Sequence, residues 1–462
     1  QTAPSDGIHS WIYQPTWQRR SAPPLPNAEI ERSRWLIFAN DEAQSRELSK
    51  LVEKSGNDVF QVRPGDQYEQ TGFRQFTIRF EEGDDMASLF ADLRERDSIP
   101  EQIVYHGVAP FRDEAPQDPK ISKQEDSTTG QPNISHAAPH GLLQLLLQLA
   151  ELEQPTQLSI VTTESEDVIG TESICEQNAA WKGIALVAAQ EHPQLGIRII
   201  DLEAVPRSNR QPTKMLWNEL RHPTPNGVVA HRGRYRWEFD YESAEASSSS
   251  APAISEGNYF LIGDVSSEVG RAWAHSILDQ SGTTLAIIHT DQEVAERYRN
   301  AFTGSGRDEQ ILQLISNSLE TLENTLERAT EQFGSPKGIF ICGPTANTKS
   351  AAPLTLLDEN HWTYNSTSRI EVSRVVARFA SDRPIKFICV QSSMSAVLGG
   401  IGLAAYSASN LTLEAFVSNQ NRNSQTPWYS IGWDAIHTES EDNTTETPSI
   451  RSPNQDVALN PE

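Results

Sequence analysis

Short β-rich runs alternate with helical patterns along the whole chain. In the first half the strand-length runs are RWLIFA (34–39), QIVYHG (102–107), LSIVTT (158–163), GIRIID (196–201) and GVVAHRGRYRWEF (227–239). They are rich in β-branched and aromatic residues and bounded by polar stretches, as buried strands are. Between them DEAQSRELSKLVEKSG and HGLLQLLLQLAELE carry apolar residues at helical spacing. In the second half NYFLIG (258–263), TTLAIIHT (283–290), KGIFICG (337–343), IKFICVQSS (385–393) and WYSIGW (428–433) read as strands. GRAWAHSILDQSG, LETLENTLERATEQFG and YSASNLTLEAFVSNQNR read as the helices between them. Such alternation predicts right-handed βαβ units and an α/β fold, with two tandem Rossmann-like subdomains built on parallel sheet.

The pattern fades in DYESAEASSSSAPAISEGN (240–258), where Ser, Ala and Pro crowd without periodicity. This sets the expected division: a structural subdomain over 1–245, a linker over 246–257, a catalytic-type subdomain over 258–438 and a polar tail over 439–462. DEAPQDPKISKQEDSTTGQPNISHAAPH (113–140) reads as a surface insertion. Only the second half carries a glycine-bearing strand–turn–helix, so residues 1–245 are expected to be purely structural.

Charge narrows the partners. With 63 acidic against 38 basic residues the net charge is −25. That disfavours nucleic acid and anionic membrane surfaces. No apolar run approaches the ~20 residues of a membrane helix, and the opening QTAPSDGIHSWIYQPTWQRR lacks the apolar core of a signal peptide. A cytoplasmic location is expected, with the NIS at Asn133 and NTT at Asn443 left unglycosylated. Cys175, Cys342 and Cys389 show no framework spacing, and the latter two, in apolar runs, are expected to be buried thiols. His136 and His140 are four apart but have no third ligand, so no metal site is expected.

The informative chemistry lies in FICVQSSMSAVLGGIGLAAYSASNLTLEAF (387–416). A strand ends at Ser392-Ser393, a glycine-containing loop follows, and YSASN opens a helix with Tyr406 and Asn410 one turn apart on one face. Ser393 and Tyr406 can converge in the crevice where doubly wound sheets bind ligands. A tyrosine hydroxyl there can protonate a carbonyl oxygen while a serine hydroxyl holds it.

This segment resembles the catalytic half of ketoreductase domains of modular polyketide synthases, within the short-chain dehydrogenase/reductase superfamily. The resemblance covers nearly the whole chain. HSWIYQPTWQRR looks like the family's opening strand, SEDVIGTESICEQNAAWKGIALVAAQEHPQLGIRIIDLEA like the core of its structural subdomain, VVAHRGRYRWEFDYE like that subdomain's closing strands, and YSIGWDAI like the strand after the catalytic helix. It implies Tyr406 as the acid, Ser393 as the oxyanion partner and Asn410 as the anchor of the active-site network. It also implies NADPH as cofactor, a β-ketoacyl thioester on an acyl carrier protein as substrate, and neighbouring synthase domains as partners.

Several positions depart from the family. Its lysine, which lowers the tyrosine's pKa and grips the ribose, is missing from NSTSRIEVSRVVARF, where Arg369 stands about where it belongs. Arginine keeps the charge but not the geometry. The cofactor loop, close to TGGxGxxG in the family, reads GDVSSEVG here. Gly263 takes the threonine position, Asp264, Val265 and Ser267 take glycine positions, and only Gly270 survives. Those side chains are expected to crowd the pyrophosphate, and the Asp264 and Glu268 carboxylates to repel it. Two like charges ~4 Å apart cost about 1 kcal/mol in water and several times that in a partly buried crevice. Asp291 stands near the position of the 2′-phosphate arginine, Asn317 near that of the adenine-reading acid, and ICGPTANTKSAAP replaces the usual HAAG strand end. The leucine–aspartate–aspartate signature of alcohol stereochemistry is missing, and Leu398 takes the place of a tryptophan sometimes found there. The expected outcome is a reductase fold that has lost its NADPH and serves a structural or docking role. Cofactor-free epimerisation and an active NADPH-dependent reductase are the alternatives.

Overall fold

Strand propensity and burial coincide in the central runs of two sheets. The computed structural model describes residues 12–22, 32–39, 42–106, 140–204, 211–222, 227–244, 254–265, 267–290, 292, 295–296, 308–316, 318–343 and 351–434. The insertion at 113–139 with Asn133 and His136, Asp291, Asn317, residues 344–350, Asn443 and the tail from 439 lie outside the described residues.

Along the first sheet's chain segment run β1 (Tyr13–Arg19), β2 (Arg34–Phe38), α1 (Glu42–Lys54), β3 (Asp58–Pro64), β4 (Glu69–Gly72), β5 (Gln75–Ile78), α2 (Gly83–Glu95), β6 (Gln102–His106), α3 (His140–Ala150), β7 (Thr156–Thr163), α4 (Glu176–Glu191), β8 (Leu195–Leu202), α5 (Gln211–Leu220), β9 (Gly227–Arg232) and β10 (Tyr235–Ser243). The strand order is β1-β10-β9-β8-β7-β6-β2-β3-β5-β4. Its centre, from β3 through β9, is parallel. The run at 227–239, expected as one strand, is a hairpin. Gly233 at φ +56° turns the chain so that Tyr235 pairs antiparallel with Arg232. Strands β3 to β5 were not foreseen, because their apolar residues are few and interspersed with charge.

The second sheet holds β11 (Gly257–Gly263), α6 (Glu268–Leu278), β12 (Thr283–His289), β13 (Ile311–Ile315), α7 (Leu319–Phe333), β14 (Gly338–Cys342), α8 (Glu359–Ser366), α9 (Val372–Ala380), β15 (Phe387–Ser393), the short α10 (Ser395–Leu398), α11 (Ala404–Asn423) and β16 (Trp428–Trp433). All its pairings are parallel, in the order β13-β12-β11-β14-β15-β16. One face packs Ile262, Ile341, Val376, Phe379 and Leu413, the other Leu261, Val269, Trp273 and Phe340. The fold is α/β with two Rossmann-like sheets, as expected.

Contacts divide the chain into two units: residues 17–181 with 192–239, and residues 1–16, 182–191 and 240–462. The second half of α4 therefore groups with the second sheet. Cys342 and Cys389 are buried and unbridged. Among the described residues no helix is long and apolar enough to cross a membrane, and no cluster of three or more metal-ligating side chains occurs.

The first unit buries an ionic cluster with a measurable pH signature. Arg236 grips Glu219 with two nitrogens, at 2.8 and 3.1 Å, and His231 Nε2 lies 3.3 Å from the same carboxylate. Burial by itself would push this carboxyl up, but the hydrogen bonds from His231 and Arg236 outweigh it and hold Glu219 at about 2. The unfolded chain then takes up this proton at higher pH than the folded one. The stabilisation is full above pH 4.5 or so and is lost as pH falls towards 2. Acid titration of unfolding is expected to show a loss of roughly 3 kcal/mol from this group. Glu219→Gln should lower stability at neutral pH and flatten the profile in that window. An unchanged profile would remove Glu219 from the account.

Candidate active site

The second sheet's strand order reverses between β11 and β14, since one set of crossovers runs outward to β13 and the other to β16. The carboxyl ends of these two strands form the switch point where open α/β sheets bind ligands. Beside it, α11 opens with Ala404 and Ala405 and places Tyr406 and Asn410 on one face, both buried. Alternation along β15 turns its last two serines opposite ways. Ser392 is buried and donates to Glu414 Oε1 at 2.6 Å, whereas Ser393 is half-buried.

Arg369 joins the helix residues. It lies in a π-helical turn, Thr367–Glu371, between α8 and α9. Such widened turns are frequent at functional sites. Its side chain is 1% exposed. Nη2 donates to the Tyr406 hydroxyl at 3.0 Å and Nη1 to Asn410 Oδ1 at 2.9 Å, with the guanidinium 4.7 Å from the Tyr406 ring centre. Asn410 Nδ2 in turn donates to Ser395 Oγ at 3.4 Å, and the Ser395 N–H to Ser393 Oγ at 3.1 Å. One polar chain thus connects Ser393, Ser395, Asn410, Arg369 and Tyr406. Ser395 was not anticipated. Gly343 was not either: a Cβ there would lie 2.2 Å from Arg369 Nε, so the arginine stem crosses the end of β14 only because Gly343 has no side chain.

The turn after β11 is organised around itself. Gly263 has φ +110°, and a Cβ on it would lie 1.9 Å from Cys342 O. Val265, expected to crowd a cofactor, is instead fully buried in the cluster with Leu261, Val269 and Trp273. Its apolar side chain gains more in that core than at a polar loop. Ser267, expected to crowd likewise, caps α6: its Oγ accepts from Gly270 N–H at 3.1 Å and donates to Asp264 O at 2.9 Å. The Asp264 N–H donates to Cys342 O, the Val265 N–H to Gly263 O and the Ser267 N–H to Asp264 O, at 3.2 to 3.3 Å. Gly270 lets the helix approach this turn, since a Cβ there would lie 2.8 Å from Val265 Cα. Glu268 pairs with Arg271 at 2.9 Å. Burial, and after it the Asp264 carboxylate, push the Cys342 thiol well up, while Arg369 pulls the other way. Carboxylate, thiol and guanidinium share one neighbourhood at the strand ends.

The second half of α4 braces the site. Gly183 allows contact with α11, because a Cβ there would lie 2.5 Å from Ala408 N. Gln190 donates to Leu398 O at 2.6 Å and accepts from Gly400 N–H at 2.8 Å. Glu191 accepts from Gly402 N–H at 2.7 Å and from Leu354 N–H at 2.8 Å, tying the loop before Tyr406 to residues 352–354. A glycine inside a helical pattern was the available signal for this contact.

Residues 257–438 match the family model described as KR domain. This part of the chain is a KR domain. Residues 33–219 match the model described as beta-ketoacyl synthase-like, N-terminal. No curated protein matches at a significant level. Among solved structures the KR domain and its preceding unit together resemble an N-terminal ketoreductase from the macrolactin assembly line, with TM-score 0.72, 14% identity, and coverage of 92% of this chain and 83% of that one. The first ketoreductase of the tylosin PKS gives 0.70, 17%, 94% and 84%. A multidomain structure of a keto acid-selecting NRPS module, with adenylation, ketoreductase and pseudo Asub parts, gives 0.74, 18%, 91% and 35%. At these identities the likeness is one of fold. The KR domain here places Arg369 against the tyrosine hydroxyl.

Proposed function

We propose that this chain is a ketoreductase-fold domain of a polyketide synthase that carries no NADPH, and that it serves a structural or docking role beside neighbouring synthase domains. The observation that carries the reading is the closed turn at the switch point. A pyrophosphate there needs backbone N–H groups that are free to donate and close approach to the chain. The N–H groups of Asp264, Val265, Ser267 and Gly270 already donate within the chain. The Asp264 and Glu268 carboxylates lie on the same turn, and Glu268 engages Arg271. These residues do not fit the dinucleotide.

Calorimetric titration with NADPH tests this. The expected result is no saturable heat up to millimolar cofactor. Saturable micromolar binding, with NADPH oxidised when a β-ketoacyl thioester is added, would establish the active reductase instead.

The connected Ser393–Ser395–Asn410–Arg369–Tyr406 chain favours a second reading, epimerisation of the α-carbon of a β-ketoacyl thioester carried by an acyl carrier protein. That reaction needs a polarised carbonyl and proton transfer but no hydride. Deuterium exchange at the α-carbon without NADPH, lost in Tyr406→Phe, would select it over the structural role.

A further inference from the structure

In the first unit a second polar constellation lies at the carboxyl ends of β7, β8 and β9. Three backbone N–H groups of one turn converge on a single carboxylate, that of Glu172. Val168 N–H donates to Oε1 at 3.0 Å, Ile169 N–H to Oε1 and Oε2 at 3.1 and 3.3 Å, and Thr171 N–H to Oε2 at 2.9 Å. Gly170, at φ +80°, gives the turn its inward curl. Arg232, at the end of β9, adds Nε to Oε1 at 2.8 Å. Both side chains are almost wholly buried.

The rest of the cluster holds Arg232 in place. Its Nη2 donates to Asp201 Oδ2 at 2.6 Å and to Glu166 O at 2.9 Å. Asp201 is fully buried and also accepts from Thr162 Oγ1, Ser165 Oγ and the Ser165 N–H, at 2.7 to 2.9 Å. The guanidinium is therefore fixed by groups other than Glu172. So is one end of the loop, through the Ser165 N–H. Successive N–H groups curled around an oxyanion, closed by an arginine, make an anion-binding concavity.

We propose that the Val168–Thr171 turn and Arg232 form a carboxylate-binding site whose resident ligand is the chain's own Glu172. The donor set outlasts the removal of that side chain, because Arg232 keeps Asp201 and Glu166. With Glu172 truncated, the site takes a small free carboxylate such as formate or acetate. In the intact chain the bound carboxylate latches the segment leading from β7 into α4.

The test is chemical rescue. Glu172→Ala is expected to melt several degrees below the wild type. Sodium formate should restore the midpoint saturably, with half its effect at millimolar concentration, where sodium chloride at equal ionic strength does not. The wild type should not respond to formate. Recovery of folded Glu172→Ala only when formate is present would support the site equally. A variant as stable as the wild type, or a formate effect that is missing or shared by both proteins, would overturn it. Should Glu172→Ala give no folded protein under either condition, Glu172→Gln decides. The neutral amide weakens the charge-assisted hydrogen bonds that hold the turn, so amide deuterium exchange across 166–174 should quicken roughly tenfold or more. Unchanged exchange would overturn the proposal.

Discussion

Arg369→Met is expected to cost the second unit about 3–5 kcal/mol, the range for breaking a buried charged network by removing one partner. The guanidinium is 1% exposed and donates to both Tyr406 and Asn410. Truncation loses the hydrogen bonds to Tyr406 and Asn410 and leaves a buried hydroxyl and a buried amide oxygen without those donors, each worth about 1–3 kcal/mol. It also opens space above Gly343, where the arginine stem now lies. Arg369→Lys should recover part of the loss, because an ammonium keeps the charge but replaces a rigid two-pronged fork by a single point. Urea unfolding followed by tryptophan fluorescence measures both. A loss below about 1 kcal/mol for the methionine variant would show that the network is dispensable to the fold.

Much of the fold was legible because strand and helix periods differ and the buried strands are nearly pure runs of branched residues. FLI at 260–262 and FICV at 387–390 could hardly be anything else. Ser393, Tyr406 and Asn410 were legible as a spaced set, and the structure joins them through one hydrogen-bonded chain. Three things were not legible, each for a physical reason. Strands β3 to β5 are edgeward and mixed in polarity, so their alternation is weak. Val265 reads as loop by position, yet its side chain turns into the core, because a loop's backbone path decides which way a residue faces. The contacts of Gly183 with α11, and of Gln190 and Glu191 with the loop before Tyr406, join residues about two hundred positions apart. No local pattern reports a contact of that kind.

Gly263→Thr is expected to abolish folding of the second unit, which makes it the sharpest probe of the turn at the switch point. A threonine is what the family pattern carries at this position, so a simple history of side-chain replacements would predict that it is tolerated. The backbone says otherwise. At φ +110° a β-branched residue is strained by an estimated 1–3 kcal/mol. Its Cβ would also lie 1.9 Å from Cys342 O, a backbone atom on the adjoining strand. Neither atom can move alone. Gly263 pairs with Cys342 in the β11–β14 ladder, and the Asp264 N–H donates to that same carbonyl. Relief would mean unpairing two central strands. Restoring the remaining glycines, by Asp264→Gly, Val265→Gly and Ser267→Gly with Gly263 kept, is expected to leave NADPH unbound and to lower stability. It removes the Val265 side chain from the core and the Ser267 cap from α6, and lost caps cost about 1 kcal/mol each. Circular dichroism and thermal unfolding would show the first result, and calorimetric titration the second. A folded Gly263→Thr protein, or one in which the three glycines bring back saturable NADPH binding, would mean that the backbone of an intact cofactor loop survives and that only its side chains have changed. The overlap with Cys342 O is the reason to expect neither result.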